Sequence, residues 1–279
     1  MAKATRYTAE MIEAYTKRGY WKKTTLSQFW DKCARDFPDR EALVDSKTRL
    51  TWSQAKQIID RLALGFLDLG IGRDEMIVLQ LPPMVEGILL RVACEKAGIL
   101  SLPAARTLRE AEMAYIFDRT KAVGVVICRE FAGFNYFKML EEIRPLAPAL
   151  RHVFIIGEEI PAGTISLKEM MERPLEETPA AASLEERTFS PFETSLVVHT
   201  TGTTGMPKLV EHAMCSKLWH GTSYIETLKL TGDDIFGLFS PVAAGPNTPA
   251  FFTAPLIGAK VAILERWDTE EALRLIAKE

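Results

Sequence analysis

Short apolar runs alternate with amphipathic segments along most of the chain. The segment 53–70 has apolar residues at helical spacing and predicts a helix capped by Ser53 and stopped by Gly70. The segments that follow alternate between strand and helix: MIVLQLP (strand), MVEGILLRVACEKAG (helix), ILSLP (strand), LREAEMAYIFDRT (helix), VGVVIC (strand), FKMLEEIRPL (helix) and HVFIIG (strand). Because these strands are apolar on both faces, the pattern predicts a parallel sheet covered by helices on each side, from about residue 50 to 157.

The flanking regions predict further elements of the same kind. A helical N-terminal stretch precedes REALVDSKTRLTW at 40–52, which predicts a hairpin. Residues 158–191 are rich in Pro, Glu and Ala and predict a surface connection. A second alternating unit then reads as the strand TSLVV, a helix starting near Glu211, a strand near DIFGLFS, a helix inside NTPAFFTAPLIG, the strand KVAIL and the helix TEEALRLIAKE.

These elements predict an α/β protein organised in three segments. Residues 1–49 hold the helical stretch and the start of the hairpin, 50–190 a first α/β subdomain with its surface connection, and 191–279 the start of a second subdomain. The last helix has no glycine cap and no strand after it, so we expect a chain that is cut rather than finished.

Composition narrows the classes of function. The 34 Lys+Arg residues nearly balance the 37 Asp+Glu residues, which argues against nucleic acid or a membrane surface as the main partner. No apolar run approaches the ~18 residues that a membrane helix needs, and the N-terminus lacks the apolar region of a signal peptide. The four cysteines are widely spaced, which indicates reduced thiols and a cytoplasmic protein.

The stretch HTTGTTGMPKLVEH, at 199–212, carries the candidate chemistry. It lies between a buried strand and an expected helix, where α/β sheets present loops to ligands. Its glycines let backbone N–H groups approach an anion, and its hydroxyls and lysine supply further hydrogen bonds and a positive charge. The residues that we expect to surround a polyphosphate are Thr200, Thr201, Gly202, Thr203, Thr204, Gly205 and Lys208.

Three other interpretations fit this region less well. A mobile surface turn rich in Thr and Gly would not require the preceding strand or a lysine behind Pro207. A P-loop NTPase requires G-x-x-x-x-G-K-[ST], whereas Pro207 precedes Lys208 and Leu209 follows it. His212 and Cys215 are spaced to share a helix face, but two ligands do not make a zinc site.

TTGTTGMPK resembles the phosphate-loop signature of the adenylate-forming (AMP-binding) superfamily, which includes acyl-CoA synthetases, aryl-acid AMP ligases and the adenylation domains of peptide synthetases. Two further stretches are similar to that family in the same order: FPDREALVDSKTRLTWSQAKQIIDRLALGFLDLGIGRDEMIVLQLPP and FSPVAAGPNTPAFFTAPLIGAKVAIL. The resemblance implies two helix-flanked, parallel-sheet subdomains of the family's N-terminal region, in truncated form. GYW, PKL and FAGFNYFKMLEEIRP resemble the ligases for cyclic or aromatic acids.

The resemblance also implies an activity and its participants. Family members join ATP and a carboxylic acid into an acyl-adenylate with release of pyrophosphate, and a thiol, usually coenzyme A, then takes the acyl group. It implies that Thr200 to Gly205 and Lys208 contact the β- and γ-phosphates and that Thr200 also faces Mg²⁺. The residues implied to begin the acyl pocket are Ala243, Ala244, Gly245, Pro246, Asn247 and Phe251.

Other functional parts of the family have no counterpart in these 279 residues. The magnesium-binding glutamate, the ribose-binding aspartate, the hinge and the catalytic lysine of the C-terminal lobe would all lie downstream. We therefore expect an N-terminal fragment of an acid–CoA or acid–AMP ligase, inactive alone, whose partner is the C-terminal half. The alternative is a noncatalytic nucleotide-binding or interaction module, and a homodimer is open in either case.

Overall fold

The computed structural model of the chain describes residues 7–175, 184–200, 205–240 and 249–279. The helices of this part are α1 (Ala9–Lys17), α2 (Leu26–Asp36), α3 (Trp52–Asp68), α4 (Val85–Lys96), α5 (Glu110–Thr120), α6 (Tyr136–Ile143), α7 (Leu167–Glu172), α8 (Leu184–Arg187), α9 (Met214–Leu228), α10 (Ala254–Ile257) and α11 (Thr269–Lys278). The strands are β1 (Glu41–Val44), β2 (Arg49–Thr51), β3 (Met76–Gln80), β4 (Leu100–Pro103), β5 (Gly124–Cys128), β6 (Glu130–Phe131), β7 (Phe134–Asn135), β8 (His152–Ile156), β9 (Ile165–Ser166), β10 (Thr194–His199), β11 (Leu209–Ala213), β12 (Ile235–Leu238) and β13 (Lys260–Ile263). A 3₁₀ turn covers Arg144–Leu146, and a π-helix covers Pro249–Thr253.

Two mixed sheets organise these elements. The larger one has the strand order β11-β10-β4-β3-β5-β8-β9, and all its neighbours are parallel except β10 and β11. The smaller one has the order β12-β13-β1-β2, in which only β1 and β2 are antiparallel. The predicted α/β fold and the predicted hairpin at 40–52 are confirmed.

The core explains why the central strands are apolar on both faces. Ile77 and Leu79 of β3 pack with residues of α2, α3 and α4, whereas Met76 and Val78 pack with residues of α5 and α6. Side chains alternate between the two faces of a strand, so a strand covered on both sides needs an unbroken apolar run. The first cluster also contains residues of β1 and β13, so one continuous core joins the two sheets.

Helix α3 shows how local sequence sets an element's ends. Its N-cap is Thr51, whose hydroxyl accepts from Gln54 N–H while the Gln54 side chain accepts from Thr51 N–H, a capping box. The predicted cap, Ser53, was wrong because it lies inside the first turn, where its N–H bonds Pro38 O. Gly70 has a φ of +72°, which matches the predicted stop.

The segment 158–191 contains more than the predicted surface connection. Its described part includes β9, α7 and α8, and β9 extends the larger sheet beside β8. Five of its apolar residues are buried: Leu167, Met170, Leu175, Leu184 and Phe189. The sequence did not predict these short elements, because a few buried side chains are enough to hold them and the segment as a whole is poor in apolar residues.

Two further expectations differ from the structure. A strand, β11, follows the Thr/Gly loop where a helix was predicted near Glu211, and α9 begins at Met214. The predicted segment limits at 49 and 190 do not coincide with sheet limits, because β10 pairs with β4 and β1 pairs with β13. The division into subdomains stays a prediction.

Candidate phosphate-binding site

The Thr/Gly loop connects the antiparallel strands β10 and β11, and its base is closed by paired hydrogen bonds. Thr200 N–H donates to Lys208 O at 2.9 Å, and Lys208 N–H donates to Thr200 Oγ1 at 3.0 Å. The structure therefore brings two of the predicted site residues, Thr200 and Lys208, together. The predicted residues Thr201, Gly202, Thr203 and Thr204 lie outside the described residues.

Gly205, the first described residue after residue 200, has a backbone conformation that favours glycine. Its φ is +147°, and a Cβ placed there would meet no heavy atom of the described residues within 4 Å. The requirement for glycine is therefore conformational, since L-residues rarely adopt this φ.

His199, the last residue of β10, ties the loop to a neighbouring one. Because β4 and β10 are parallel, their carboxyl ends lie at the same edge of the sheet. Ala105 N–H, just beyond β4, donates to His199 Nε2 at 3.0 Å. His199 Nδ1 in turn lies 2.9 Å from Thr200 O. His199 was not among the residues predicted for the site, although its position between a buried strand and a glycine loop could have marked it.

The β4–α5 loop that His199 contacts is itself held at several points. The buried side chain of Gln80 donates to Leu108 O at 3.1 Å. Tyr136 Oη and Arg109 Nη1 both donate to Arg106 O, at 3.0 and 2.8 Å. These bonds engage the carbonyl groups of Arg106 and Leu108, so the loop is a firm attachment for the His199 ring.

Lys208 is exposed and borders a cavity of about 410 Å³ beside β11. The other residues that line the cavity are Tyr7, Thr194, Leu209, Val210, Glu211 and Ala213. This volume is within the range of about 300–1,000 Å³ that is common for small-molecule sites. The lysine side chain thus belongs to an open region beside the loop rather than to the core.

The predicted acyl-pocket segment is described only at its end. Ala243, Ala244, Gly245, Pro246 and Asn247 lie outside the described residues, whereas Phe251 lies in the π-helix and is 6% exposed. This π-helix packs closely on α9, because a Cβ on Gly221 would come within 2.5 Å of Phe252 O. π-helices are rare and occur frequently at functional sites.

His212 and Cys215 do not share a helix face, because His212 lies in β11 and Cys215 in the first turn of α9. Burial, with Lys217 nearby, lowers the pKa of His212 to about 4, and burial raises the pKa of Cys215 to about 11. Cys33, Cys94, Cys128 and Cys215 are all buried, unpaired thiols. A thiol with a raised pKa is mostly protonated and is therefore a weak nucleophile, so burial and pKa both indicate that Cys215 is a packing residue.

The described part is an α/β protein with a mostly parallel sheet, helices on both faces and a glycine-containing loop at the carboxyl edge of its strands, which is where proteins of this class bind ligands. No helix of the described part is both long enough and apolar enough to cross a membrane. The family model that matches the sequence is AMP-binding enzyme, over residues 30–279. The chain therefore belongs to the AMP-binding enzyme family, and the resemblance to adenylate-forming enzymes is confirmed.

Several relatives of the chain are named as CoA or AMP ligases of carboxylic acids. It is 26% identical over 275 residues to 2-hydroxy-7-methoxy-5-methyl-1-naphthoate–CoA ligase of Streptomyces carzinostaticus, covering 97% of this chain and 49% of that protein. It is 28% identical over 248 residues to salicyl-AMP ligase / salicyl-S-ArCP synthetase of Mycobacterium tuberculosis, covering 87% and 42%. The apo structure of Mycobacterium smegmatis MbtA superposes with a TM-score of 0.84 at 26% identity, covering 98% and 50%. The chain thus spans about half the length of these proteins.

Proposed function

We propose that this chain supplies the triphosphate-binding part of an ATP-dependent carboxylic acid ligase. The single observation that carries the proposal is the closed base of the Thr200–Lys208 loop, at the carboxyl edge of a parallel sheet in a member of the AMP-binding enzyme family. Half-length coverage of the relatives supports a role for a C-terminal half in completing the catalyst. The noncatalytic module remains the second candidate, and the experiment below separates the two.

The proposed reaction has two steps, formation of the acyl-adenylate and transfer of the acyl group to a thiol. A carboxylate oxygen of the acid attacks the α-phosphorus of ATP, the bond to the β-phosphate oxygen breaks, and pyrophosphate leaves. A thiolate then attacks the acyl carbon, and AMP leaves with the electron pair of the acyl–oxygen bond. No side chain becomes covalently bonded to the substrate, so the protein contributes positioning and neutralisation of charge.

The loop residues fit the first of these steps. The Thr200 N–H already donates to Lys208 O, so the groups proposed to face the β- and γ-phosphate oxygens are the backbone N–H groups of residues 201–205 and the threonine hydroxyls. Lys208 is proposed to add a positive charge that stabilises departing pyrophosphate. Thr200 Oγ1 accepts one hydrogen bond from Lys208 N–H, so a second lone pair is left for Mg²⁺. Mg²⁺ typically takes few protein ligands and several phosphate or water oxygens, and when bound it would supply charge neutralisation.

The acid that we propose is aromatic or alicyclic, and the acceptor is coenzyme A or a carrier-protein thiol. The names of the two relatives, a naphthoate–CoA ligase and a salicyl-AMP ligase, support a ring-bearing acid. Phe251 and residues 243–247 are proposed to contact it. Four cysteines held as free thiols support a reducing, cytoplasmic location.

The test is ATP–pyrophosphate exchange by the polypeptide that joins this chain to a C-terminal half, measured with a panel of aromatic, alicyclic and fatty acids. Lys208→Ala should reduce exchange by roughly 100-fold, the size typical of losing one preorganised charge contact in a transition state. The matched control is Lys168→Ala, an exposed lysine whose partner is Glu158 at 3.6 Å. Unchanged exchange in Lys208→Ala would reject the site, and absence of exchange with every acid would favour the noncatalytic module.

A further inference from the structure

His199 joins two loops at the carboxyl edge of the larger sheet, and neither contact belongs to the phosphate loop's own closure. We propose that His199 is a positioning residue for triphosphate binding: its ring, protonated on Nδ1, couples the β4–α5 loop to the first residue of the phosphate loop. This inference rests on the proposed function. It adds a residue outside the Thr/Gly signature.

The hydrogen bonds determine which ring nitrogen carries the proton. A backbone N–H can only donate, so the 3.0 Å contact with Ala105 N requires His199 Nε2 to accept. A neutral imidazole then has its proton on Nδ1, which donates to Thr200 O at 2.9 Å. The ring therefore links one donor to one acceptor, and only this tautomer satisfies both.

The Ala105 side of the link is anchored. Ala104 N–H bonds Leu79 O in the neighbouring strand at 2.9 Å, so the chain leaves β4 in a fixed direction. The Gln80, Tyr136 and Arg109 side chains hold the carbonyls at 106 and 108. Because this loop is held in place, the His199 ring that bonds to it is held in place too and can fix the position of Thr200.

The Thr200 side is where the position matters. Lys208 uses the N–H and the Oγ1 of Thr200, and His199 uses the carbonyl oxygen, so each polar group of Thr200 is engaged. With its oxygen turned to the ring, the Thr200 carbonyl cannot point its negative end at a phosphate. The ring thereby fixes the direction of the Thr200 carbonyl group at the end of β10.

The spectroscopic test uses the chain itself, which has only four histidines. With ¹⁵N-labelled histidine, long-range proton–nitrogen correlation spectra should show the His199 ring as the Nδ1–H tautomer, identified by its loss in His199→Leu. The Ala105 amide proton should exchange with solvent at least tenfold faster in that variant. An Nε2–H tautomer, or unchanged exchange at Ala105, would overturn the proposal.

The kinetic test uses the two-half polypeptide and separates positioning from general damage. His199→Leu should raise KM for ATP roughly tenfold, as expected for losing one or two net hydrogen bonds, with KM for the acid unchanged. His199→Gln, whose amide offers both an acceptor and a donor, should restore most of the affinity. His220→Leu is the control, the same substitution on the exposed face of α9.

The outcomes of the two proposals are distinguishable. If wild type exchanges pyrophosphate normally, Lys208→Ala is impaired and His199→Leu keeps its KM for ATP, the positioning role is wrong and the proposed function stands. Equal rises of both KM values, or no rescue by Gln, would also reject positioning. If no acid supports exchange in wild type, the proposed function fails and the role of His199 in ATP binding fails with it.

Discussion

One side chain of β11, His212, makes the stability of the fold sensitive to acid. Burial and the neighbouring Lys217 hold the pKa of His212 at about 4, below its value in an unfolded chain. The unfolded state therefore binds more protons, so stability is complete above about pH 6.5 and falls as the pH drops toward 4. The loss is on the order of 1 kcal/mol after screening by solvent is allowed for.

His212→Gln should remove this part of the acid sensitivity. The measurement is urea unfolding of wild type and variant at pH 7 and at pH 4.5. We expect the two pH values to give more similar free energies of unfolding in the variant. An identical pH difference in both proteins would mean that burial does not keep His212 neutral.

Prediction from sequence works best where the outcome depends on residue type alone. The backbone freedom of Gly70 is such a property, and its φ of +72° confirms the predicted helix stop. The hydroxyls and the charge around Lys208 mark the candidate loop in the same way, and their role in binding stays a prediction. His199 was missed because its partner, Ala105, is 94 positions away, and no local pattern encodes that contact. The roles of Thr201 to Thr204 stay predictions.

Helices α2, α3 and α4 are tied together by one lysine near the end of α4. Lys96 Nζ lies 2.6 Å from Asp60 Oδ1 of α3 and 2.8 Å from Asp31 Oδ1 of α2. Burial by itself would lower the pKa of Lys96, but Asp60 and Asp31 outweigh it and raise that pKa. The lysine is therefore charged and holds two carboxylates that would otherwise repel each other.

Lys96→Met should lower the free energy of unfolding by about 2 kcal/mol, because it removes the more buried of the two lysines that pair with Asp31 and Asp60 and leaves them only Lys56, which is half-exposed. Lys32→Met is the matched control on α2, since Lys32 pairs with Asp36 at an exposed site and should cost under about 1 kcal/mol. Chemical unfolding at pH 7 measures both. Equal losses in the two variants would show that burial of the Lys96 cluster adds nothing.

Elements were predictable where one period dominated and unpredictable where it did not. The predicted helices from α3 to α6 follow the helical period, and β3, β5 and β8 are covered on both faces, so their runs are apolar throughout. Among the described residues, β11 pairs only with β10 and runs directly into α9, and its apolar and exposed positions do not alternate regularly. Because α9 begins at the residue directly after β11, no turn residue marks the boundary, and the sequence pattern predicted a single helix.

Taken as a whole, the molecule joins distant parts of the chain through charges as well as through sheets. Glu279 bonds Arg49 Nη2 at 2.6 Å and Lys260 Nζ at 2.8 Å, and both cations also bond Glu41. This network connects α11 with β1, β2 and β13. The hydrogen bonds from Arg49, with those from Lys260, lower the pKa of Glu279 to about 2.

Glu279→Gln should reduce stability at pH 7 by on the order of 1 kcal/mol, since Arg49 is partly exposed and its contribution is screened. A lowered pKa stabilises the fold above about pH 4.5, and that contribution disappears as the pH falls through about 2, where wild type and variant should converge. Urea unfolding at pH 7 and pH 2.5 measures this. Glu270→Gln, at the exposed pair with Arg274, should change little; an equal loss there would contradict the assignment.

The sequence predicted least well which strands belong to which of the two sheets. Adjacent sequence units suggested subdomains divided near residue 190, yet β10 returns to the sheet of β4, and β13 returns to the N-terminal hairpin. Which sheet a strand joins depends on pairings between remote segments. Periodicity within each segment carries no information about them.

The pairing of Leu43 with Val261 also has a consequence during synthesis on the ribosome. At about 5–20 residues per second, the hairpin β1–β2 emerges roughly 10 to 40 seconds before β13 exists to pair with it. Through that interval one edge of β1 offers unpaired backbone groups beside apolar side chains. Chaperone capture of the nascent chain should therefore begin early and end only after β13 has left the exit tunnel.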